Sequence, residues 1–387
     1  MATAPRSLRY APHVAVFSVG YVTFTYAAVP GFVISRYHTT LTGVGLFMSA
    51  ALVSFVVAQL PAGRLVSRFT TTQVLFGLLV AHVVLAVALD LAPSLPTVLC
   101  LRMLWGLAGG LVLSVGATHV ARLHEGRDAT RQQGVYGGML TLGGTFGFLL
   151  APTLVRTTNG FGIQALGALL ALPALAMLWP YRTASWTAVT TSSNAVEQTR
   201  TVLRNRVVLV AALCYVAIIG SYVTLSTFVT SYFRDFGVVG PLNVAVPLMA
   251  TVGRWVGGDV AARLSLTDAR LVRLTTAGAA GTFLALLVHD QLVALALPLV
   301  AMLAVSVPFG AVYNLAAGAT PHEGAALALV VAAGNVAAVV LPALTGVLRT
   351  RTGSYGALFV LLAVLNGLAA LSLLLTRGDT PALKETV

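Results

Sequence analysis

The sequence predicts an all-α membrane protein with twelve transmembrane helices in two pseudo-symmetric six-helix bundles. Of its 387 residues, 58% are hydrophobic and 9% are charged, whereas a soluble domain carries roughly 25% charged residues. The apolar runs are near-continuous and about 20 residues long, which is the length of a helix that crosses a bilayer core of roughly 30 Å. Barrel strands would instead alternate apolar and polar residues. The bilayer is therefore the expected solvent for this chain.

The apolar runs divide the chain into twelve spans. We place them at residues 12–33, 41–62, 72–91, 95–119, 132–155, 162–181, 207–232, 241–262, 270–289, 291–316, 324–348 and 354–376. With both termini on one side, sixteen of the 23 Lys and Arg residues fall on that side, five on the other, and two, Arg102 and Arg254, within spans. Cytoplasmic loops carry such an excess of basic residues. We therefore expect a multi-pass protein of the plasma membrane with both termini in the cytoplasm.

Two halves of the chain resemble each other. A polar stretch rich in Ser and Thr predicts a cytoplasmic linker at 183–206, between an N-terminal bundle at 1–182 and a C-terminal bundle at 207–387. GRLVSR, from Gly63, follows the second span, and GDVAAR, from Gly258, follows the eighth. YVTFT begins at Tyr21 in the first span, and YVTLS begins at Tyr222 in the seventh. Matches that recur in the same order predict a duplicated six-helix unit.

The twelve spans, the central linker and these two loop motifs resemble the major facilitator superfamily over almost the whole chain. The loop signature of that family is Gly-x-x-x-Asp-Arg-x-Gly. Gly63 and Arg68 match it, with Ser67 at the position of the Asp, and Gly258 and Arg263 match it in the second copy. The resemblance implies a secondary transporter whose two bundles expose a central site to each side in turn, with these four matching residues in gating loops.

A narrower resemblance concerns the eighth span. In the nitrate/nitrite and related anion porters, an arginine precedes paired glycines in this span, and Arg254-Trp255-Val256-Gly257-Gly258 has that arrangement. Those porters place a second arginine in the second span, where this chain has Gln59. The resemblance implies an anion site with one charge-pairing residue.

The two arginines within spans are the first candidates for the site. An ionisable side chain at membrane depth costs several kcal/mol unless it faces a polar cavity or a partner. Arg254 can line a central cavity and bind a carboxylate or oxyanion through its planar fork of donors. It can also bind carbonyl groups of a neighbouring helix, or reach Asp259. Arg102 can contact the substrate, reach the membrane surface, or bind carbonyl groups.

Several uncharged residues complete the predicted substrate site. Aromatic side chains can enclose a planar anion or can pack between helices, and this applies to Tyr21, Tyr222, Trp105, Phe309 and Tyr313. Polar amides at depth can donate to a ligand or join two helices, and this applies to Gln59 and Asn335. His82 and His119 can carry protons near neutral pH, although a lone histidine is more often a packed residue.

The sequence lacks the motifs of other functional classes. It has no phosphate-binding loop with Lys, no HExxH and no cysteine cluster, so we expect neither an enzyme nor a bound cofactor or metal. The basic residues are spread over short loops, which is not typical of nucleic-acid binding. We expect a monomer in the lipid bilayer that moves a small, anionic molecule by secondary active transport. The alternative is efflux of drugs or hydrophobic compounds, which predicts a buried acid in the cavity. Asp259 is the single acid that we place within a span.

Overall fold

The structure, a computed structural model, describes residues 5–124, 126–182, 200–238, 240, 242–288 and 290–374. In a few helical stretches, among them 59–64 and 126–131, it describes the backbone and not the side chains. The described part is α-helical and contains no strand. The predicted linker at 183–206 lies mostly outside the described residues, so its boundaries stay a prediction.

Fourteen α-helices are described. The first half contains α1 (Arg6–Ala28), α2 (Pro30–Tyr37), α3 (Leu41–Arg68), α4 (Thr71–Asp90), α5 (Leu95–Leu123), α6 (Gly126–Thr158) and α7 (Ala165–Leu178), followed by a short 3-10 turn, Trp179–Tyr181. The second half contains α8 (Arg206–Asp235), α9 (Leu242–Arg263), α10 (Asp268–Ala285), α11 (Gln291–Ser306), α12 (Phe309–Gly318), α13 (Glu323–Thr352) and α14 (Gly356–Ser372).

These helices form the twelve predicted spans because two of the spans are each built from a pair of helices. The first span bends by 73° between α1 and α2, where Pro30 follows Val29. The tenth span is divided between α11 and α12, where Pro308 follows Val307. Proline lacks the N–H that would continue the helix. Val29, before Pro30, leaves the helical conformation, as the residue before a proline tends to do, whereas Val307 stays helical and the interruption falls at Pro308 itself. The fold class predicted from the sequence is confirmed.

The helices of each half pack mainly against one another. In the first bundle α1 packs on α6 and α7, and α5 packs on α3 and α4. In the second bundle α8 packs on α13, α10 on α14, and α9 on α11. The two bundles meet where α3 contacts α13, where α6 contacts α9, and where α1 contacts α8. Each of these contacts joins one helix from each copy of the repeat.

The two ends of the molecule differ in how the bundles meet. We call the end that carries Arg68 and Arg263, the last residues of α3 and α9, the basic end. At the opposite end α3 and α13 are in close contact. There the backbone of Gly45 lies against the carbonyl of Pro342, and the Ser49 hydroxyl donates to the carbonyl of Val339 at 2.6 Å. The bundles are therefore closed against each other at the opposite end.

Candidate functional site

Arg254 lies at the contact between the two bundles. It belongs to α9 and is 9% exposed. Its guanidinium carbon lies 4.7 Å from the ring centre of Tyr222 and 4.2 Å from that of Phe309, so the group is held by two aromatic rings. Nη1 donates to the carbonyl oxygen of Gly137 in α6 at 3.1 Å. The arginine of the second bundle is therefore bonded to the backbone of the first.

Most of the hydrogen-bonding capacity of Arg254 is unused. A guanidinium has five N–H donors, and the bond to Gly137 is the one it makes within the described residues. Its Nε is buried without a hydrogen-bond partner. Among the described residues no acidic side chain pairs with Arg254, and the described salt bridge joins Arg349 to Asp235 at the opposite end. Of the alternatives for Arg254, a bond to a carbonyl is present and a pair with Asp259 is not.

Glycines in α6 allow the close approach that brings Arg254 to the first bundle. A side chain at Gly138 would overlap the indole Nε1 of Trp255. A methyl group on Gly137 would lie 3.2 Å from the ring of Phe309. Small residues at helix contacts in membranes permit this kind of packing. One turn further along, the Thr251 hydroxyl donates to the Thr141 hydroxyl at 3.0 Å and joins the same two helices.

Four aromatic residues of the second bundle, which we call the aromatic box, surround this position: Tyr215, Tyr222, Phe309 and Tyr313. The ring centre of Phe309 lies 5.0 Å from that of Tyr313 and 5.9 Å from that of Tyr215. The hydroxyls of Tyr215 and Tyr313 are 2.7 Å apart. Tyr222 also meets Phe24 of the first bundle at 5.4 Å, edge to face. The predicted residues Arg254, Tyr222 and Tyr313 are thus brought together.

Arg102 is in a different environment. It is fully buried in the first bundle, and its three nitrogens donate to backbone carbonyls of α1 and α3 at 2.9 to 3.1 Å, namely those of Phe47, Val22 and Thr23. The rings of Tyr26 and Trp105 each lie 5.5 Å from its guanidinium carbon. Of the alternatives left open by the sequence, this geometry matches the binding of carbonyl groups.

Trp105 takes part in a chain of hydrogen bonds inside the first bundle. Its indole N–H lies 3.0 Å from Nδ1 of His82, and Nε2 of His82 lies 2.8 Å from the Ser18 hydroxyl, which donates to the carbonyl of Gly167 at 2.7 Å. Since an indole nitrogen can only donate, Nδ1 of His82 accepts and Nε2 carries the proton. A second proton on His82 would break its bond to Trp105. This geometry disfavours His82 as a proton carrier.

Tyr21 also lies within the first bundle. It is fully buried, and a methyl group on Gly167 in α7 would lie 3.2 Å from its ring. Its hydroxyl has no hydrogen-bond partner among the described residues. Among the described residues, no ring contact joins Tyr21 to the aromatic box, and Phe24, one turn further along α1, makes the contact with Tyr222.

The remaining predicted residues lie at other positions. Gln59 and Gly63 are in the part of α3 of which the backbone alone is described. The amide nitrogen of Asn335 is buried without a described partner, and the preceding residue, Gly334, packs under the ring of Tyr215. The prediction that the motif residues lie in loops is wrong: Arg68 and Arg263 end α3 and α9, and Gly258 lies within α9, although all three are exposed.

Sequence reasoning missed one aromatic residue of this site, Tyr215, and one buried acid. Tyr215 precedes Tyr222 by seven residues, a spacing that places both on one helix face, and this signal predicts Tyr215. The expectation that Asp259 is the single acid within the spans is wrong. Asp90 ends α4, is 5% exposed, and accepts the backbone N–H groups of Gln164 and Ala165 at 2.8 to 3.0 Å. Asp90 therefore caps the start of α7.

Comparisons with known proteins agree with this architecture. A family model described as Major Facilitator Superfamily matches residues 13–323. A curated relative, "Probable anion transporter 6, chloroplastic" of Arabidopsis thaliana, is 31% identical over 116 residues. The match covers 30% of this chain and 22% of the relative. The chain thus spans about a fifth of the length of that relative.

Proposed function

The chain belongs to the Major Facilitator Superfamily, and on that premise we propose that it carries a small anion across the membrane with Arg254 as its binding charge. Members of this family are secondary transporters, so the solute moves on gradients. The observation that carries the proposal is the state of Arg254: a buried cation at the bundle interface, with an unpartnered Nε and no described acidic partner. The name of the Arabidopsis thaliana relative supports the same class of solute.

The electrostatics of this position favour an anionic solute. Two unit charges 4 Å apart attract each other by about 4 kcal/mol at an effective dielectric constant of about 20. The two rings at 4.7 and 4.2 Å attract the guanidinium, but they leave its net charge in place. An anion at the edge of the guanidinium would neutralise that charge and accept several of its N–H groups. A cationic solute would be repelled from the same position.

The contact with Gly137 suggests how binding is coupled to movement. The Nη1 donor of Arg254 is bonded across the bundle interface, so an anion that takes this donor removes a bond that holds α9 to α6. Solute binding would then favour separation of the bundles at this contact. The excess of Lys and Arg places the basic end on the cytoplasmic side of the plasma membrane in this proposal. The described state is then closed towards the outside.

Transport by purified protein in liposomes tests the proposal. Uptake of nitrate, phosphate, acetate and benzoate is measured with the wild type and with Arg254→Gln. Hydrogen bonds to a charged group contribute about 1.5–3 kcal/mol, so we expect Arg254→Gln to lower kcat/KM by about 10- to 100-fold. Arg270→Gln is the matched control, because Arg270 is exposed near the basic end and its loss removes the same charge. Equal rates in the wild type and Arg254→Gln would refute the anion site.

A further inference from the structure

The hydroxyl pair of Tyr215 and Tyr313 leaves one hydrogen-bond donor unused. The two oxygens are 2.7 Å apart, and either can be the donor. Each hydroxyl carries one hydrogen, and a single bond between them uses one of the two. No other hydrogen bond to either hydroxyl is found among the described residues. Whichever tyrosine donates within the pair, the other retains an O–H that can donate elsewhere.

This donor lies in a packed environment beside the proposed anion site. Tyr215 is 5% exposed, its ring centre lies 5.3 Å from that of Tyr313, and Gly334 packs directly under it. Phe309 stands between the pair and Arg254: its ring centre lies 5.0 Å from that of Tyr313 and 4.2 Å from the guanidinium carbon. A cation, an apolar ring and a neutral donor therefore follow one another along the wall of the second bundle.

We propose that Tyr215 and Tyr313 are specificity-determining residues, and that the solute is an organic anion with an apolar middle and a second, uncharged acceptor oxygen. Its carboxylate meets Arg254, its apolar part contacts Phe309, and its far oxygen accepts the spare O–H of the tyrosine pair. The inference rests on the proposed function of Arg254 and extends it from a charge to a class of solute. Single-atom anions and nitrate are too small to span the three groups.

Two benzoates of nearly equal shape test this inference. The 4-methoxy derivative carries an ether oxygen opposite its carboxylate, and the 4-ethyl derivative has a methylene group there. Each compound is tested as an inhibitor of nitrate and acetate uptake. The inhibition constant of the ethyl compound divided by that of the methoxy compound gives a preference ratio. A site that offers a buried donor disfavours a ligand without an acceptor, because the donor then stays unpaired. We expect the wild type to prefer the methoxy compound about five- to ten-fold.

The tyrosine variants make the test specific to the hydroxyl pair. Tyr215→Phe and Tyr313→Phe each remove one hydroxyl but leave one O–H free to donate, so each single variant retains a preference for the methoxy compound. The double variant has no such O–H, and its ratio falls to about one. Tyr232→Phe, also in α8 and packed on Phe359 at 5.4 Å, is the matched control and keeps the ratio of the wild type.

The outcomes separate this inference from the function on which it rests. If nitrate and acetate are transported in an Arg254-dependent way but neither benzoate inhibits, the class of solute is wrong and the anion site stands. A methoxy preference that survives in the double variant also refutes the role of the pair. If Arg254→Gln transports and binds all anions as the wild type does, the proposed function itself fails, and this inference fails with it.

Discussion

The contact of α3 with α13 predicts that two alanine substitutions open the protein at the opposite end. A methyl group on Gly45 would lie 2.5 Å from the carbonyl oxygen of Pro342. A methyl group on Gly346 would lie 2.7 Å from the carbonyl oxygen of Leu41 and 2.8 Å from the Cα of Thr42. Both obstacles are backbone atoms, which cannot rotate away as a side chain can. The helices must therefore separate by about 1 Å to restore ordinary contact distances.

The size of the effect follows from the cost of overpacking. Extra carbon atoms in a packed contact destabilise it by about 1–3 kcal/mol. This cost applies to the state in which α3 and α13 touch at the opposite end, and it is absent when the bundles are apart there. Each alanine should therefore shift the equilibrium towards the state open at this end by roughly 5- to 150-fold. Gly45→Ala combined with Gly346→Ala should shift this equilibrium further in the same direction than either substitution alone.

Distances between spin labels measure this shift. Cysteines replace Arg156 and Arg351, exposed residues near the ends of α6 and α13, in a background in which Cys100 and Cys214 are changed to serine. The double alanine variant should show a longer distance population than the parent. Gly77→Ala in α4 is the control, since a methyl group there meets nothing within 4 Å. An unchanged distance distribution in the double alanine variant would show that the α3–α13 contact does not separate during transport.

Two further predictions concern the first bundle. Arg102→Gln removes three charged hydrogen bonds to carbonyls of α1 and α3, so the free energy of unfolding should fall by about 3 kcal/mol or more. Denaturant unfolding in detergent measures this free energy. A change below about 1 kcal/mol would contradict the structural role of Arg102. Trp105→Phe removes the donor to His82, so the free energy of unfolding should fall by about 1 kcal/mol while the KM for uptake stays unchanged. A raised KM in the uptake assay would instead favour a direct role of Trp105 in solute binding.

The fold could be predicted because each of its signals is local or repeated. Long apolar runs determine the spans, and the recurrence of GRLVSR as GDVAAR indicates the duplication. The bend at Pro30 and the break at Pro308 were less accessible. Proline in a membrane helix is tolerated where neighbouring groups satisfy the freed carbonyl. Pro152 and Pro342, for example, lie within the continuous helices α6 and α13. Whether a proline interrupts a span thus depends on packing that the sequence does not display.

The candidate site was predicted in part, because side-chain direction depends on how each helix is rotated. Tyr21 and Phe24 are three residues apart and therefore point about 60° apart around α1. That rotation places Phe24 against Tyr222 and Tyr21 against α7. Tyr21 and Tyr222 occupy matching positions in the sequence repeat, yet their side chains have different surroundings. The contacts of Tyr222 with Arg254 require an arginine in α9, and the first half of the repeat has Gln59 at the matching position.

The two buried arginines differ in how many of their nitrogens are bonded, and this difference is why we propose Arg254, and not Arg102, as the ligand site. Both lie between aromatic rings, and neither has an acidic partner among the described residues. Arg102, however, uses all three nitrogens on carbonyls within one bundle, so its bonds persist when the bundles move as rigid bodies. Arg254 has one described bond, and that bond crosses the interface to Gly137. When the bundles part at this contact, Arg254 loses that carbonyl, and a buried guanidinium without partners is costly. Under the proposed function, a bound anion would remove this cost and so lower the barrier to movement for the loaded protein alone.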